Sequence, residues 1–143
     1  MISARELRAT ADDVNERAAR EKAERARIEH EKKEAADRAA EATSRARSPE
    51  LLATLDDKLR AAALAGKTEL RVMELSSWEY IPPAEWQDAG RDNFRGAARD
   101  VYDRLLPPLK PGEERPDDAF TVFVQTDYDP PSGYSWNYLV ARW

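Results

Sequence analysis

The chain has 143 residues, 36% of them charged, and its formal net charge is −5. Ordinary globular domains carry about a quarter charged residues, so this length and composition indicate one small domain with a polar appendage. The absence of Cys excludes disulfides, thiolate nucleophiles and the usual structural zinc sites. All 4 Trp, 5 Tyr and 3 Phe lie in residues 48–143. We therefore expect a charged arm over residues 1–47 and a folded domain over residues 48–143.

The charge is divided unevenly between these two parts. Residues 1–47 carry 12 Lys+Arg and 11 Asp+Glu, a net +1, whereas residues 48–143 carry 11 and 17, a net −6. Neither part is a basic patch, so direct nucleic-acid binding is not expected. No apolar run approaches the roughly 20 residues of a membrane span, and the N-terminus lacks a signal-peptide pattern. We expect a soluble protein with no membrane contact, cytoplasmic when synthesised.

The arm predicts one continuous, coiled-coil-like α-helix. From about Ser3 to Arg47 it contains neither Gly nor Pro and is rich in Ala, Glu, Arg and Lys. An apolar stripe with alternating steps of three and four runs along Leu7, Ala11, Val14, Ala18, Ile28, Ala35, Ala39, Ala42 and Ala46, with interruptions at Glu21, Arg25 and Lys32. A solvated single helix held by Glu/Arg pairs is one interpretation. We favour packing against another copy or another protein, since so long a helix gains most of its stability from tertiary contact.

The first half of the domain predicts helix, strand and helix. Ser48-Pro49-Glu50 has the residue types of a helix start, and Gly66 marks the end of that helix after about Ala65. Residues 68–75 then form a strand and residues 76–83 a loop. A second helix is predicted over residues 84–106. Its stripe consists of Trp86, Gly90, Phe94, Ala97, Val101 and Leu105.

The second half predicts two strands. Pro107-Pro108 ends the helix, and residues 110–118 form a polar loop. Residues 119–126 and 134–143 are rich in Val, Phe, Tyr and Trp, and the segment 127–133 joins them. The predicted fold class is α+β: the long helical arm, then a small helix-strand-helix-strand-strand domain. Its simplest closure is a three-stranded sheet with two helices on one face.

No motif in the chain predicts catalysis, a cofactor or a metal. Gly66-Lys67-Thr68 resembles the end of a P-loop, but position 61 is Ala and the order is helix to strand. Asp127-Tyr128-Asp129 lacks the downstream ligands of a calcium loop, because Pro131 and Tyr138 stand where acidic residues are required. His30, the single histidine, lies in the charged arm with no partners for a triad. We expect no catalytic, cofactor-binding or metal site, and no enzyme activity.

The last strand and the arm supply the candidate interface residues. Tyr134, Trp136 and Tyr138 fall on one face of the strand, with Leu139, Ala141 and Trp143 on or near the other. Two helices on one side cannot cover both faces, so we expect one face to meet a partner. The predicted protein-interface residues are Leu7, Val14, Ile28, Tyr134, Trp136 and Tyr138.

The order of these features resembles that of small phage-encoded proteins of uncharacterised function. The resemblance rests on Ser3-Ala4-Arg5-Glu6-Leu7-Arg8, on Ala61-Ala62-Ala63 leading to Gly66-Lys67-Thr68 and a strand, and on a terminal strand that closes on Trp143. It implies a structural or assembly protein, such as a minor virion component, whose partners are copies of itself or a larger assembly. The alternative is a soluble phage-encoded regulator or anti-defence inhibitor that binds a host protein.

Overall fold

A computed structural model describes all residues from 1 to 143. The elements in chain order are α1 (Ala4–Arg45), α2 (Ser48–Leu64), β1 (Glu69–Leu75), a short 3₁₀ helix (Arg91–Asn93), α3 (Ala97–Leu105), β2 (Thr121–Asp129) and β3 (Tyr134–Arg142). A long N-terminal helix thus precedes a small domain with one three-stranded sheet. The predicted α+β class is confirmed.

The chain divides into two compact units, residues 1–39 and residues 40–143. The sequence places the end of the arm at residue 47, eight residues further along. Residues 40–47 belong to the second unit because Ser44, Arg45 and Arg47 bond side chains of the domain.

The first unit contains most of α1. Ser3 and Glu6 begin it with a reciprocal capping box, in which the Glu6 amide donates to the Ser3 hydroxyl and the Glu6 carboxylate accepts from the Ser3 amide. The Ser3 amide and the Ser3 hydroxyl both donate to the Glu6 carboxylate, and these two bonds hold the pKa of Glu6 below its ordinary value. Further along, exposed ion pairs one turn apart include Glu16–Arg20, Glu21–Arg25 and Arg27–Glu31. Such pairs stabilise an isolated helix modestly.

The second helix of the chain ends where the sequence predicts. The Gly66 amide donates to the Ala63 carbonyl and the Lys67 amide donates to the Ala62 carbonyl. Gly66 has a φ of +80°, the left-handed conformation that this type of helix end requires. Gly66-Lys67 is therefore a helix stop followed by a strand.

The sheet has the strand order β1-β3-β2, and both pairs are antiparallel. α2 and α3 cover one face through a shared apolar cluster, in which Leu55 and Val101 of the helices meet Leu139 and Ala141 of β3. The ring of Phe94 also enters this cluster and stacks on Tyr80 and Tyr102, with centroids 5.6 and 5.2 Å away.

The helix predicted over residues 84–106 is wrong in its first half. Only Ala97–Leu105 is helical, and residues 84–96 form an irregular segment that contains the short 3₁₀ helix. Gly96 has a φ of +60°, which a continuous helix cannot accommodate, and Phe94 is extended and bridges to Tyr80. Trp86, predicted on the buried stripe, is 85% exposed.

The predicted strands shift by a few residues. β2 starts at Thr121 and continues to Asp129, so Asp127-Tyr128-Asp129 belongs to a strand and not to a loop. β3 starts at Tyr134 as predicted and ends at Arg142. Because β2 is longer than predicted, the turn is shorter, and Tyr128, Tyr134 and Trp136 all lie on paired strands of the hairpin.

Candidate protein-binding hairpin

β3 lies in the centre of the sheet, and its alternating side chains define two faces. Leu139 and Ala141 point toward the helices and are fully buried. Tyr134, Trp136 and Tyr138 occupy the other alternate positions and therefore point away from the helices. The structure places the three predicted interface residues of the domain on one face.

Arginine side chains cover the three-stranded part of this face. The Arg71 guanidinium lies 4.4 Å from the centroid of the Tyr138 ring and pairs with Asp127 at 2.7 Å. Arg142 lies 4.7 Å from the centroid of the Phe123 ring and pairs with a carboxylate of β1. Each of these arginines is both paired with a carboxylate and stacked on an aromatic ring, so this part of the face is covered and Tyr138 is half-buried.

Beyond Asn137 the β2–β3 hairpin is two-stranded. β1 ends at Leu75, which pairs with Asn137, whereas β2 and β3 continue to the pair Asp129–Tyr134. In this outer part Tyr134 is 69% exposed and Trp136 is 38% exposed, with ring centroids 6.5 Å apart. The outer hairpin thus presents one largely exposed ring, Tyr134, beside the partly exposed ring of Trp136.

The other side of the outer hairpin is also aromatic. Tyr128, paired with Ser135, is 63% exposed. The turn itself is fixed, since the Gly133 amide donates to the Asp129 carbonyl, the Ser132 hydroxyl donates to the Asp129 carboxylate, and Gly133 has a φ of +72°. We call Tyr128, Tyr134 and Trp136 the aromatic tip.

The three interface residues predicted on the arm are all exposed. Leu7, Val14 and Ile28 lie on α1 at multiples of seven residues, which places them along one side of the helix. Glu21, the residue that interrupts this series, pairs with Arg25 one turn later at 4.0 Å. The structure thus places these three residues on one exposed side of α1, and the polar residue that interrupts the series is paired within the helix.

A buried carboxylate, which sequence reasoning missed, lies against the end of α1. Glu79 has an exposed fraction of 0%, and its oxygens accept from the Ser44 hydroxyl at 2.6 Å, from the Ser76 amide at 3.0 Å and from the Arg47 guanidinium. Burial alone raises its pKa, but these hydrogen bonds outweigh burial and hold the pKa of Glu79 below its ordinary value. No spacing in the sequence signals this site, since Ser44 and Arg47 lie more than thirty residues away along the chain.

Ser44 joins this carboxylate to the start of α3. Its oxygen accepts from the Ala97 amide at 2.9 Å, which satisfies one of the unpaired amides at the helix start. The close packing at this point requires glycine at position 96, because a Cβ there would lie 2.8 Å from the Ser44 Cβ and 2.9 Å from the Trp78 ring. We call Ser44, Arg47, Ser76 and Glu79 the buried polar cluster, after the buried Ser44 and Glu79; Arg47 and Ser76 reach the surface.

Comparisons with known proteins give no indication of the family or the function of this chain. No protein-family model matches the sequence, and no curated protein or solved structure matches it significantly. No helix combines the length and the apolar character needed to span a membrane. No group of three or more His, Cys, Asp or Glu side chains is placed to hold a metal ion.

Proposed function

We propose that this chain is a non-catalytic assembly protein that binds a protein partner through the aromatic tip, while its arm packs against a second copy of the chain. A minor component of a phage particle is the setting that the sequence resemblance implies. The observation that carries the proposal is the position of Tyr134 and Trp136 on a two-stranded extension that β1 does not reach, where Tyr134 is 69% exposed and Trp136 is 38% exposed.

Exposed rings on such an extension are costly unless a partner covers them. A two-stranded hairpin is marginally stable by itself, and exposed aromatic groups favour association. Trp and Tyr are also the residue types that most often dominate binding energy at protein interfaces. The hydrogen-bonded turn after Asp129 holds the backbone of the outer hairpin in place, which reduces the entropy lost on binding.

The charge of the domain indicates the kind of surface that it meets. Residues 48–143 carry a net −6, and the carboxylates of Asp127 and Asp129 lie beside the aromatic tip. A partner groove with apolar walls and a basic rim would match both features, because complementary charge speeds and orients association.

The buried polar cluster supports a structural role over a catalytic one. Glu79 is enclosed, and its oxygens are occupied by hydroxyl, amide and guanidinium donors. A general acid or base must reach the proton that it transfers. Ser44 is likewise engaged by Glu79 and the Ala97 amide, so it has no free access to a substrate.

The test compares two tryptophans of different position. The full chain is purified with its partner from the native source, and the affinity of that partner is measured for Trp136→Ala and for Trp86→Ala. We expect about a 30-fold loss for Trp136→Ala, which corresponds to the ~2 kcal/mol of an interface hot spot. Trp86→Ala, an exposed ring away from the hairpin, should leave the affinity unchanged. Equal effects of the two substitutions, or a large fall in melting temperature with unchanged affinity for Trp136→Ala, would contradict the proposal.

Photo-crosslinking separates assembly from inhibition. A photoreactive residue at Ser135, which pairs with Tyr128 of the aromatic tip, should crosslink to the partner, whereas one at Glu113 in the exposed loop before β2 should not. Crosslinks to a structural component of a particle, at constant stoichiometry, support assembly. Crosslinks to one host enzyme or regulator support the alternative, an inhibitor that uses its acidic domain to occupy a basic site.

A further inference from the structure

The two edges of the sheet differ in how they are protected against pairing with another strand. β1 has seven residues, and three of them are charged: Glu69, Arg71 and Glu74. Its register shifts between Arg71 and Met73, which marks a bulge. Charges, bulges and short length are the features that keep an edge strand from adding a further strand.

β2, the opposite edge, lacks these features over most of its length. It has nine residues in unbroken register with β3, and no charged residue occurs from Thr121 to Thr126. No backbone hydrogen bond joins its outer side to another segment. In an edge strand the amide and carbonyl of every second residue point outward, so this side presents a row of unpaired donors and acceptors.

A slot runs beside this edge. Residues 121–124 of β2 form one wall, and Tyr80, Pro83 and residues 87–89 form the other, with a volume of about 450 Å³ between them. Four strand residues measure about 13 Å, so the slot follows the edge for roughly that length. The irregular segment before α3 supplies the far wall, which a continuous helix over residues 84–106 would not.

The charges near the slot favour a basic occupant. Asp88 lines it and makes no ion pair, and Asp117 and Asp118, also unpaired, lie four and three residues before Thr121, the first residue of β2. The one arginine that lines it, Arg142, is already paired with Glu69 at 2.7 Å. Lysine or arginine at the end of an incoming segment would meet unmatched carboxylates.

We propose that the outer edge of β2 binds an extended, basic segment of a partner protein as a fourth strand of the sheet. Backbone hydrogen bonds supply the pairing, as in other cases of strand addition. Alternate side chains of the segment enter the slot against Val122 and Val124, and the others lie beside Phe123. The site is separate from the aromatic tip and does not depend on the function proposed above.

The wall opposite β2 favours a single strand over the sheet edge of a second copy. A flanking wall at Pro83 and residues 87–89 leaves room for an isolated extended chain, whereas a second domain would bring its own wall to the same place. Dimerisation through β2 is therefore an outcome that the test must be able to detect.

The experiment titrates the full chain with a synthetic peptide in which valine alternates with threonine between terminal lysines, followed by nuclear magnetic resonance. We expect shifts and slower hydrogen exchange of the β2 amides, with those of β1 unchanged. N-methylation of one alternate set of peptide amides should abolish binding, while N-methylation of the other set should not, because only one set faces β2. Glutamates in place of the terminal lysines should weaken binding about tenfold, and Asp88→Asn about threefold, the size of one exposed ion pair.

Three results would overturn the proposal: no change in β2 amides at millimolar peptide, equal tolerance of both N-methylated sets, or protection of β2 that rises with protein concentration without peptide. The last would assign the edge to a second copy. Trp136→Ala serves as the control and should bind the peptide as the unchanged chain does. Loss of partner binding at the tip with retained peptide binding would therefore separate this site from the proposed function.

Discussion

Glu79 is a buried carboxylate whose hydrogen bonds join the end of α1 to the segment after β1. A buried carboxylate is costly unless charge and hydrogen bonds compensate it, and here the compensation comes from Ser44, Arg47 and Ser76. Two of these donors lie at the end of α1 and just after it. The last turn of the long helix is therefore fixed to the domain through an enclosed side chain.

The low pKa of Glu79 makes the stability of the domain dependent on pH. A carboxyl whose pKa is lower in the folded than in the unfolded chain contributes stability above its unfolded pKa of about 4.3, and this contribution is lost as pH falls through the folded pKa. Urea unfolding of the full chain should therefore show a fall in stability below about pH 4. We expect Glu79→Gln to cost about 2 kcal/mol at neutral pH and to make the acid-side fall shallower.

Asp92→Asn is the matched control, because Asp92 forms an exposed ion pair with Arg99. Its cost should stay below ~1 kcal/mol at neutral pH. If the two substitutions give the same acid-side profile, Glu79 does not control it.

Gly96 provides a second test at the residue scale. Alanine there would have to adopt a φ of +60° and would also collide with Ser44 and Trp78. Gly133 has a φ of +72°, but a Cβ added there would have no neighbouring atom within 4 Å, so Gly133→Ala incurs only the backbone cost of about 1–2 kcal/mol. We expect Gly96→Ala to cost at least about 2 kcal/mol more than Gly133→Ala in chemical denaturation, since overpacking adds to the strain. Equal losses would show that Ser44 and Trp78 move aside freely.

Among the helices and strands, the sequence predicts correctly those whose conformation is determined by their own residues. The uninterrupted helix formers of the arm, the Gly66 stop and the aromatic alternation of β3 each specify an element by themselves. The sequence predicts a helix over residues 84–96 because Phe94 has helical spacing from Val101. Phe94 is buried instead in an extended conformation, fixed by contacts with Tyr80 and Tyr102 that no local pattern contains.

The candidate site was predictable to the same extent. Alternation identifies Tyr134, Trp136 and Tyr138 as one face, but only the register shows that the pairing with β1 stops at Asn137, short of the first two. The slot beside β2 and the buried polar cluster arise from segments distant in the sequence, so no spacing could reveal them.

Truncation tests where the folded element begins. A fragment of residues 40–143 retains Ser44 and Arg47, whereas residues 48–143 lack both and leave the Glu79 carboxylate without these two partners. The Arg47 side chain is 48% exposed, so its pair with Glu79 contributes less than a fully buried ion pair, and we expect the shorter fragment to be less stable by about 1–3 kcal/mol. The measurement is urea unfolding followed by circular dichroism.

A double-mutant cycle identifies the cause. Glu79→Gln should cost less in residues 48–143 than in residues 40–143, because the unpaired charge is then removed. Equal stability of the two fragments would instead place the domain boundary at residue 48, as the sequence alone predicts.

At the scale of the whole molecule, charge and apolar surface are distributed separately. The domain carries the acidic excess and all the aromatic residues, whereas the arm is close to neutral and has its own sparse apolar stripe. The arm's exposed ion pairs contribute little individually. This division supports two kinds of contact, one with a partner through the domain and one between copies through the arm.

The prediction for the whole molecule is that the arm makes the chain self-associate. Leu7, Val14 and Ile28 are exposed along one side of α1, and burying each would contribute about 1.5–3 kcal/mol. Replacing all three by Ala should weaken association at least ~100-fold in sedimentation equilibrium. Because Ala is the strongest helix former, circular dichroism should show an intact helix, so the loss would not reflect unfolding. Arg5→Ala with Asp12→Ala, a charge-neutral change on the opposite side, is the control and should leave association unchanged. A full chain that sediments as a monomer at every concentration, with helix content that falls as salt is added, would instead show a single helix held by its own ion pairs.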